Sequence, residues 1–119
     1  MKHKTILNHK DFLVSSNDVH GFVVRTDDFM VKTKSSKEYG NNRYGLVVTK
    51  KNFKFAVQRN RAKRLLRDWI AFNEDLMLPD LDYILIAKTS VLECSREKGR
   101  KAMRDAFKEI AKLYEQNVK

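Results

Sequence analysis

The sequence predicts an α/β (α+β) sandwich: one mixed sheet of about four strands with helices packed on it, in the order α-β-β-β-α-β-α. Three observations carry this. Short apolar runs at 22–25, 29–34, 44–49 and 82–87 have strand length and strand patterning. Two longer segments, 53–73 and 95–116, repeat apolar residues at helical spacing. The chain has 119 residues, enough for one modest core, so sheet and helices are expected to share it as a single domain over 1–119.

Each element has a local reason. Asn8 is placed to cap a short helix through Phe12 to about Ser16, and Gly21 ends that region. Residues 22–25 are β-branched and extended, and Asp27-Asp28 reads as a turn. In 29–34 the residues alternate: Phe29, Val31 and Thr33 share one face, Met30, Lys32 and Lys34 the other. Residues 35–42 are polar and contain Gly40-Asn41-Asn42, a loop. The nearly continuous apolar run of 44–49 suits a central strand. Within 53–73, Ala62, Leu65, Leu66, Trp69 and Phe72 form an apolar stripe, and Pro79 bars any helix from reaching Asp80. Residues 82–87 form a short buried strand. The last helix is capped by Ser95, weakened by Gly99, and striped by Met103, Ala106, Phe107, Ile110, Leu113 and Tyr114.

Composition narrows the function. Twenty-five Lys and Arg face fifteen Asp and Glu, a net charge of +10, and a small fold this basic calls for a polyanionic partner. The longest wholly apolar stretch is four residues, so no membrane span is expected. The basic N-terminus lacks the apolar run of a signal peptide, and the single cysteine, Cys94, can form neither an internal disulfide nor a zinc cluster. A cytoplasmic protein is expected.

The charge is concentrated in one place. Residues 59–67 carry Arg59, Arg61, Lys63, Arg64 and Arg67. On a helical wheel Asn60, Lys63, Arg64 and Arg67 fall opposite the apolar stripe, while Arg59 and Arg61 flank it. Like pairs at i,i+4, such as Arg59/Lys63 and Lys63/Arg67, cost roughly 0.2–0.5 kcal/mol each, and basic charge near a helix N-terminus opposes the macrodipole. A solvated face would normally mix its charges. A face that repels itself is better explained by a ligand, and guanidinium groups suit phosphate.

These residues also carry a resemblance. Ala56-Val-Gln-Arg-Asn-Arg-Ala-Lys-Arg-Leu-Leu-Arg67 resembles the signature of the bacterial ribonuclease P protein family, whose core is Ala-Val-x-Arg-Asn-x-x-Lys-Arg. Asp11-Phe12, Gly21, the run 45–51 and the strand 82–87 resemble flanking parts of that family, so the likeness spans nearly the whole chain. It implies a fold like the second domain of ribosomal protein S5, with a left-handed β-α-β crossover around the basic helix, where the common rule predicts a right-handed one. It implies that Arg59, Asn60, Arg61, Lys63, Arg64 and Arg67 meet a catalytic RNA. It implies a cleft for the 5′ leader of precursor tRNA, with Phe12, Phe29, Val31, Lys32, Lys50 and Lys51 as its residues. Lys32 stands where the family often has an aromatic, so an ionic contact replaces stacking there. Lys54-Phe55 and Ser16 also depart from the family pattern.

The expected function is therefore the protein subunit of ribonuclease P. The RNA subunit would hold Mg²⁺ and cut the phosphodiester, and no protein side chain would be catalytic. No protein partner is expected. The alternative is an RNA-binding module without enzyme context, such as a ribosomal or RNA-chaperone-like protein. A metal-dependent protein nuclease is a weaker rival: Asp80 and Asp82 flank one position but look structural, and His3, His9 and His20 lack ligand spacing. The outer face of the last helix, with Lys98, Lys101, Arg104, Lys108 and Lys112, reads equally as a second RNA surface or as a solvated face.

Overall fold

The computed structural model describes residues 4–5, 18, 20–36 and 43–117. The helix expected at 8–16, with Phe12, and the loop residues Gly40, Asn41 and Asn42 lie outside them. Among the described residues there are five strands: β1 (Lys4–Thr5), β2 (Val23–Arg25), β3 (Phe29–Ser35), β4 (Arg43–Val47) and β5 (Leu81–Ala87). Two helices follow the expected bounds closely, α1 (Ala56–Phe72) and α2 (Arg96–Asn117), with short 3-10 turns at Glu74–Leu76 and Thr89–Glu93.

The strands form one mixed sheet in the order β1-β4-β5-β3-β2. β2 and β5 pair antiparallel with β3, while β1 and β5 pair parallel with β4. The helix α1 is thus the crossover between the neighbouring parallel strands β4 and β5. Two details differ from expectation. β1 is a fifth strand, only two residues long, too short for any alternation to reveal. The centre of the sheet is β5, buried along nearly its whole length, whereas β4 sits between β5 and the short edge strand.

The register sorts the side chains. Phe29, Val31 and Thr33 pair with Ala87, Leu85 and Tyr83, and Tyr44 and Leu46 pair with Tyr83 and Leu85, so all share one face. Both described helices pack there. The Phe29 ring lies 5.9 Å from Trp69 of α1, and Tyr83 meets Phe107 of α2 edge-on at 5.1 Å. Ala62, Leu66, Trp69 and Ile70 from α1, with Met103, Ala106, Phe107 and Ile110 from α2, complete the core. The Tyr83 hydroxyl accepts the Leu78 N–H at 2.8 Å, and burial pushes its phenol well above the ordinary range.

The buried stripe of α1 is turned slightly from the expected one. Ile70 is fully buried, whereas Phe72 is 61% exposed. At about 100° per residue, Ala62, Leu66, Trp69 and Ile70 span the sector facing the sheet and Phe72 falls at its edge. The helix begins without a hydroxyl or carboxylate cap. Instead Gln58 Oε1 accepts the Phe55 N–H, and Arg59 Nη1 donates to the carbonyls of Phe53 (2.8 Å) and Lys54 (3.2 Å). In α2, Ser95 behaves as expected: its Oγ accepts the Lys98 N–H at 3.2 Å. The β2–β3 turn is organised by Thr26 rather than by the two aspartates. Its Oγ1 accepts from the backbone of Asp28 and Phe29 and donates to the Phe29 carbonyl.

Candidate RNA interface

Because α1 buries one side against the sheet, its other side must face outward, and this is where its charge lies. Asn60, Arg61, Arg64 and Arg67 are exposed. Lys63 is half-buried at the margin of the stripe. Arg59 is also half-buried, and its guanidinium turns back onto the carbonyls ahead of the helix. The outward set is therefore narrower than the sequence implied: Asn60, Arg61, Arg64 and Arg67 form the open stripe, and Arg59 is anchored to its own backbone. The only acidic residue in the helix, Asp68, is occupied by Arg100 of α2, at 3.1 and 3.2 Å. The positive face is thus left unneutralised by its own helix, a condition that suits phosphate.

Lys50 and Lys51 are exposed in the turn between β4 and α1. Thr49 shapes that turn, its carbonyl accepting the Phe53 N–H at 2.9 Å and its hydroxyl accepting the Asn52 N–H. The two lysines thus stand ahead of the N-terminal end of the basic helix.

The sheet residues assigned to the cleft do not stand together. Phe29 and Val31 have no exposed surface and belong to the core beneath the helices. Lys32 lies on the opposite face, because successive strand residues alternate. The assignment of Phe29 and Val31 to a ligand cleft is corrected accordingly: both are used up in packing. Phe12 is outside the described residues. The surface around Lys32 is instead made by Met30, Ile86 and Val47, with Val23 and Arg25 from β2. All of these are at least partly exposed. This mixed apolar and basic patch was missed, although the alternation of β3 already placed Met30 and Lys32 side by side.

On the same face Arg43 pairs with the fully buried Asp82, through Nη2 at 2.7 Å and Nε at 3.3 Å. Asp80 accepts a hydrogen bond from the Tyr114 hydroxyl. Both aspartates of the nuclease rival are therefore engaged structurally. Among the described residues no group of three or more His, Cys, Asp or Glu is placed to hold a metal ion. His20 is half-buried against Tyr114, with ring centroids 4.8 Å apart. Cys94 sits beside Asp28. Burial, the hydrogen bond to Asp28 and the Asp28 charge raise its thiol to about 11, against a small opposing pull from Lys98.

Comparison with known proteins settles the family. The model of the family described as Ribonuclease P matches residues 1–111. The chain belongs to the ribonuclease P family. It is 31% identical over 117 residues to the ribonuclease P protein component of Marinobacter nauticus, covering 98% of this chain and 86% of that protein. The corresponding component of Saccharophagus degradans is also 31% identical, over 96% of this chain and 82% of its own. Among solved structures, the RNase P protein of Staphylococcus aureus superposes with a TM-score of 0.65 at 25% identity, covering 95% of this chain and 96% of that one. A second structure from that organism, with the same TM-score of 0.65 and the same 25% identity, covers 93% of this chain and 87% of its own. It is described as a mutant with defective mRNA degradation activity. Ribonuclease P membership makes the chain a protein subunit of that enzyme, with a role in tRNA processing. The α+β fold expected from the sequence is the fold of the ribonuclease P proteins.

Proposed function

We propose that this ribonuclease P subunit binds the catalytic RNA with the outer face of α1 and the 5′ leader of precursor tRNA with the patch around Lys32 on the sheet face opposite the two described helices. The observation that carries the reading is the stripe of Asn60, Arg61, Arg64 and Arg67, exposed on a helix whose one carboxylate is engaged elsewhere. Guanidinium groups on a rigid helix neutralise phosphates that the folded RNA brings close together. Lowering that repulsion raises the affinity of the RNA for Mg²⁺ and for substrate. In this proposal the RNA holds the Mg²⁺ ion and carries out the bond cleavage, and the protein supplies binding and charge neutralisation. Lys32 and Arg25, set among Met30, Ile86, Val47 and Val23, offer ionic and apolar contacts to a single strand. Lys50 and Lys51 extend the positive surface towards α1. The cytoplasm, where tRNA is matured, is the fitting compartment, and no described helix is long and apolar enough to cross a membrane.

The test is cleavage of a precursor tRNA by protein alone, by the ribonuclease P RNA alone, and by both together. The reading expects little activity from the protein, and at physiological Mg²⁺ a strong gain when it joins the RNA. Robust cleavage by the purified protein alone, lost on changing Asp80 or Asp82, would overturn it. An mRNA substrate belongs in the same assay, since one structural relative is described in terms of mRNA degradation.

A further inference from the structure

Two ridges face each other where α1 meets α2. On α1 the residues are Arg64, Asp68 and Phe72, spaced i,i+4. On α2 they are Arg96, Arg100 and Arg104, with the same spacing. The ridges run in step. Arg64, Asp68 and Arg96 line a hollow of about 180 Å³ floored by Leu65 and Trp69. One turn further on, Phe72, Arg100, Arg104, Lys101 and Glu97 line a second hollow of about 230 Å³. The Asp68–Arg100 ion pair separates the two.

The Phe72 ring is half of a stack. The Arg100 guanidinium lies 4.2 Å from its centroid and is held there by Asp68. With one face so covered the residue is still 61% exposed, so the other face is open. A lone exposed phenyl needs no explanation. This one is walled by Arg100, Lys101 and Arg104, two turns along α1 from Arg64 of the basic stripe. Arg96 and Lys101 have no carboxylate partner among the described residues, and Arg104 has only a loose contact at 3.7 Å with its neighbour Asp105.

We propose that this seam binds an unpaired nucleotide of RNA, with its base stacked on Phe72 and the adjoining phosphates on Lys101, Arg104 and Arg96. The inference rests on the RNA-binding reading above and extends the interface from α1 onto α2. A ring face open to solvent and flanked by cations is the arrangement that takes a base and its backbone together. Glu97 is the acidic wall of the second hollow. It disfavours phosphate at that spot and suits the exocyclic amine of a base.

The experiment compares the full chain with Phe72→Ala, Phe72→Leu, Phe72→Trp, Arg64→Ala and the double change Lys101→Glu with Arg104→Glu. The probes are a short single-stranded RNA and a blunt RNA duplex, with a melting curve for each variant. Phe72→Ala and Phe72→Leu should weaken single-strand binding roughly five- to fiftyfold and leave duplex binding nearly unchanged. Phe72→Trp should restore it. The double change, at exposed helical positions that do not disturb the fold, should lower single-strand affinity at least as much. Parent-like binding by Phe72→Ala, or full rescue by leucine, overturns the inference. Equal displacement of the RNA by polyglutamate would mark a general anion surface and overturn it as well. If Arg64→Ala loses affinity while the Phe72 variants do not, the seam fails and the α1 interface stands. If neither loses affinity, both fall.

Discussion

Gly99 of α2 lies flat against the indole of Trp69 on α1. A Cβ built at Gly99 would sit 2.0 Å from Trp69 Cε2 and 2.2 Å from Cζ2, well inside contact distance. The glycine that looks like a weak point in the first turns of α2 is therefore what lets the two helices close. Asn73 fastens the same corner, its Nδ2 donating to the carbonyls of Trp69 and Arg100 at 2.9 and 3.0 Å.

Gly99→Ala should therefore destabilise the protein, even though alanine is the better helix former by about 1 kcal/mol. The clash is with the body of a buried indole, not with the end of a flexible chain, so a net loss of about 2 kcal/mol or more is expected. Chemical denaturation measures it, and an unchanged or raised midpoint would show that the helices separate at little cost.

The arginines of α1 should divide into two kinds. Arg59→Ala removes the donor that ties down the Phe53 and Lys54 carbonyls and should cost about 1 kcal/mol of stability. Arg64→Ala and Arg67→Ala should leave stability within about 0.5 kcal/mol of the parent. Those two should instead weaken RNA binding and flatten the plot of log affinity against log salt by roughly 0.7 to 0.9 per lost phosphate contact. Melting curves beside binding at several salt concentrations separate the effects. Identical behaviour of all three would mean that α1 does not present its stripe as described.

Cys94 should be a sluggish thiol. With its ionisation raised to about 11, alkylation by iodoacetamide at neutral pH should be slow and should accelerate steeply only in strong base. Asp28→Asn removes a carboxylate that opposes the thiolate, so the rate profile should move to lower pH. Because the chain has one cysteine, the profile reads a single site.

Asp18 should contribute to acid sensitivity. Partial burial works against its ionised form. That effect is outweighed by hydrogen bonds from the Ser35 N–H and hydroxyl and the His20 N–H, and by the nearby His20 ring, which together hold the carboxyl below its usual range. A depressed folded-state value means that the stabilisation is full above the unfolded carboxyl's range, near pH 4, and is lost as pH falls through the folded value. Asp18→Asn should lower the melting temperature at pH 7 and flatten its decline in acid. A parallel decline in both proteins would remove Asp18 from the account.

What the sequence revealed and what it hid follow from the range of the forces involved. Local periodicity placed α1, α2, β3 and β5 and marked the basic stripe, because a buried face stamps its repeat on neighbouring residues. The same alternation put Phe29 and Val31 together, but only the packing against Trp69 shows that they are core rather than cleft. Helical spacing puts Phe72 on the apolar stripe, whereas the turn of the helix leaves it outside and brings Ile70 in. The Arg43–Asp82 and Asp68–Arg100 pairs join residues far apart in sequence, and nothing local announces them. Arg59 looked like its neighbours, since only the conformation of Phe53 and Lys54 gives it a different task.

The placement of α1 as the link between β4 and β5 has a thermodynamic consequence. The helix cannot fray away as a separate unit, because its inner stripe and the central strand of the sheet complete one another. Opening the basic surface thus requires opening the domain. Amide exchange along the middle of α1 should then proceed by global unfolding, and any ligand gripped by its outer stripe stabilises the whole chain by mass action. Occupancy of this surface becomes readable in the melting temperature of the protein, and the abundance of the folded subunit in the cell becomes tied to the supply of its RNA.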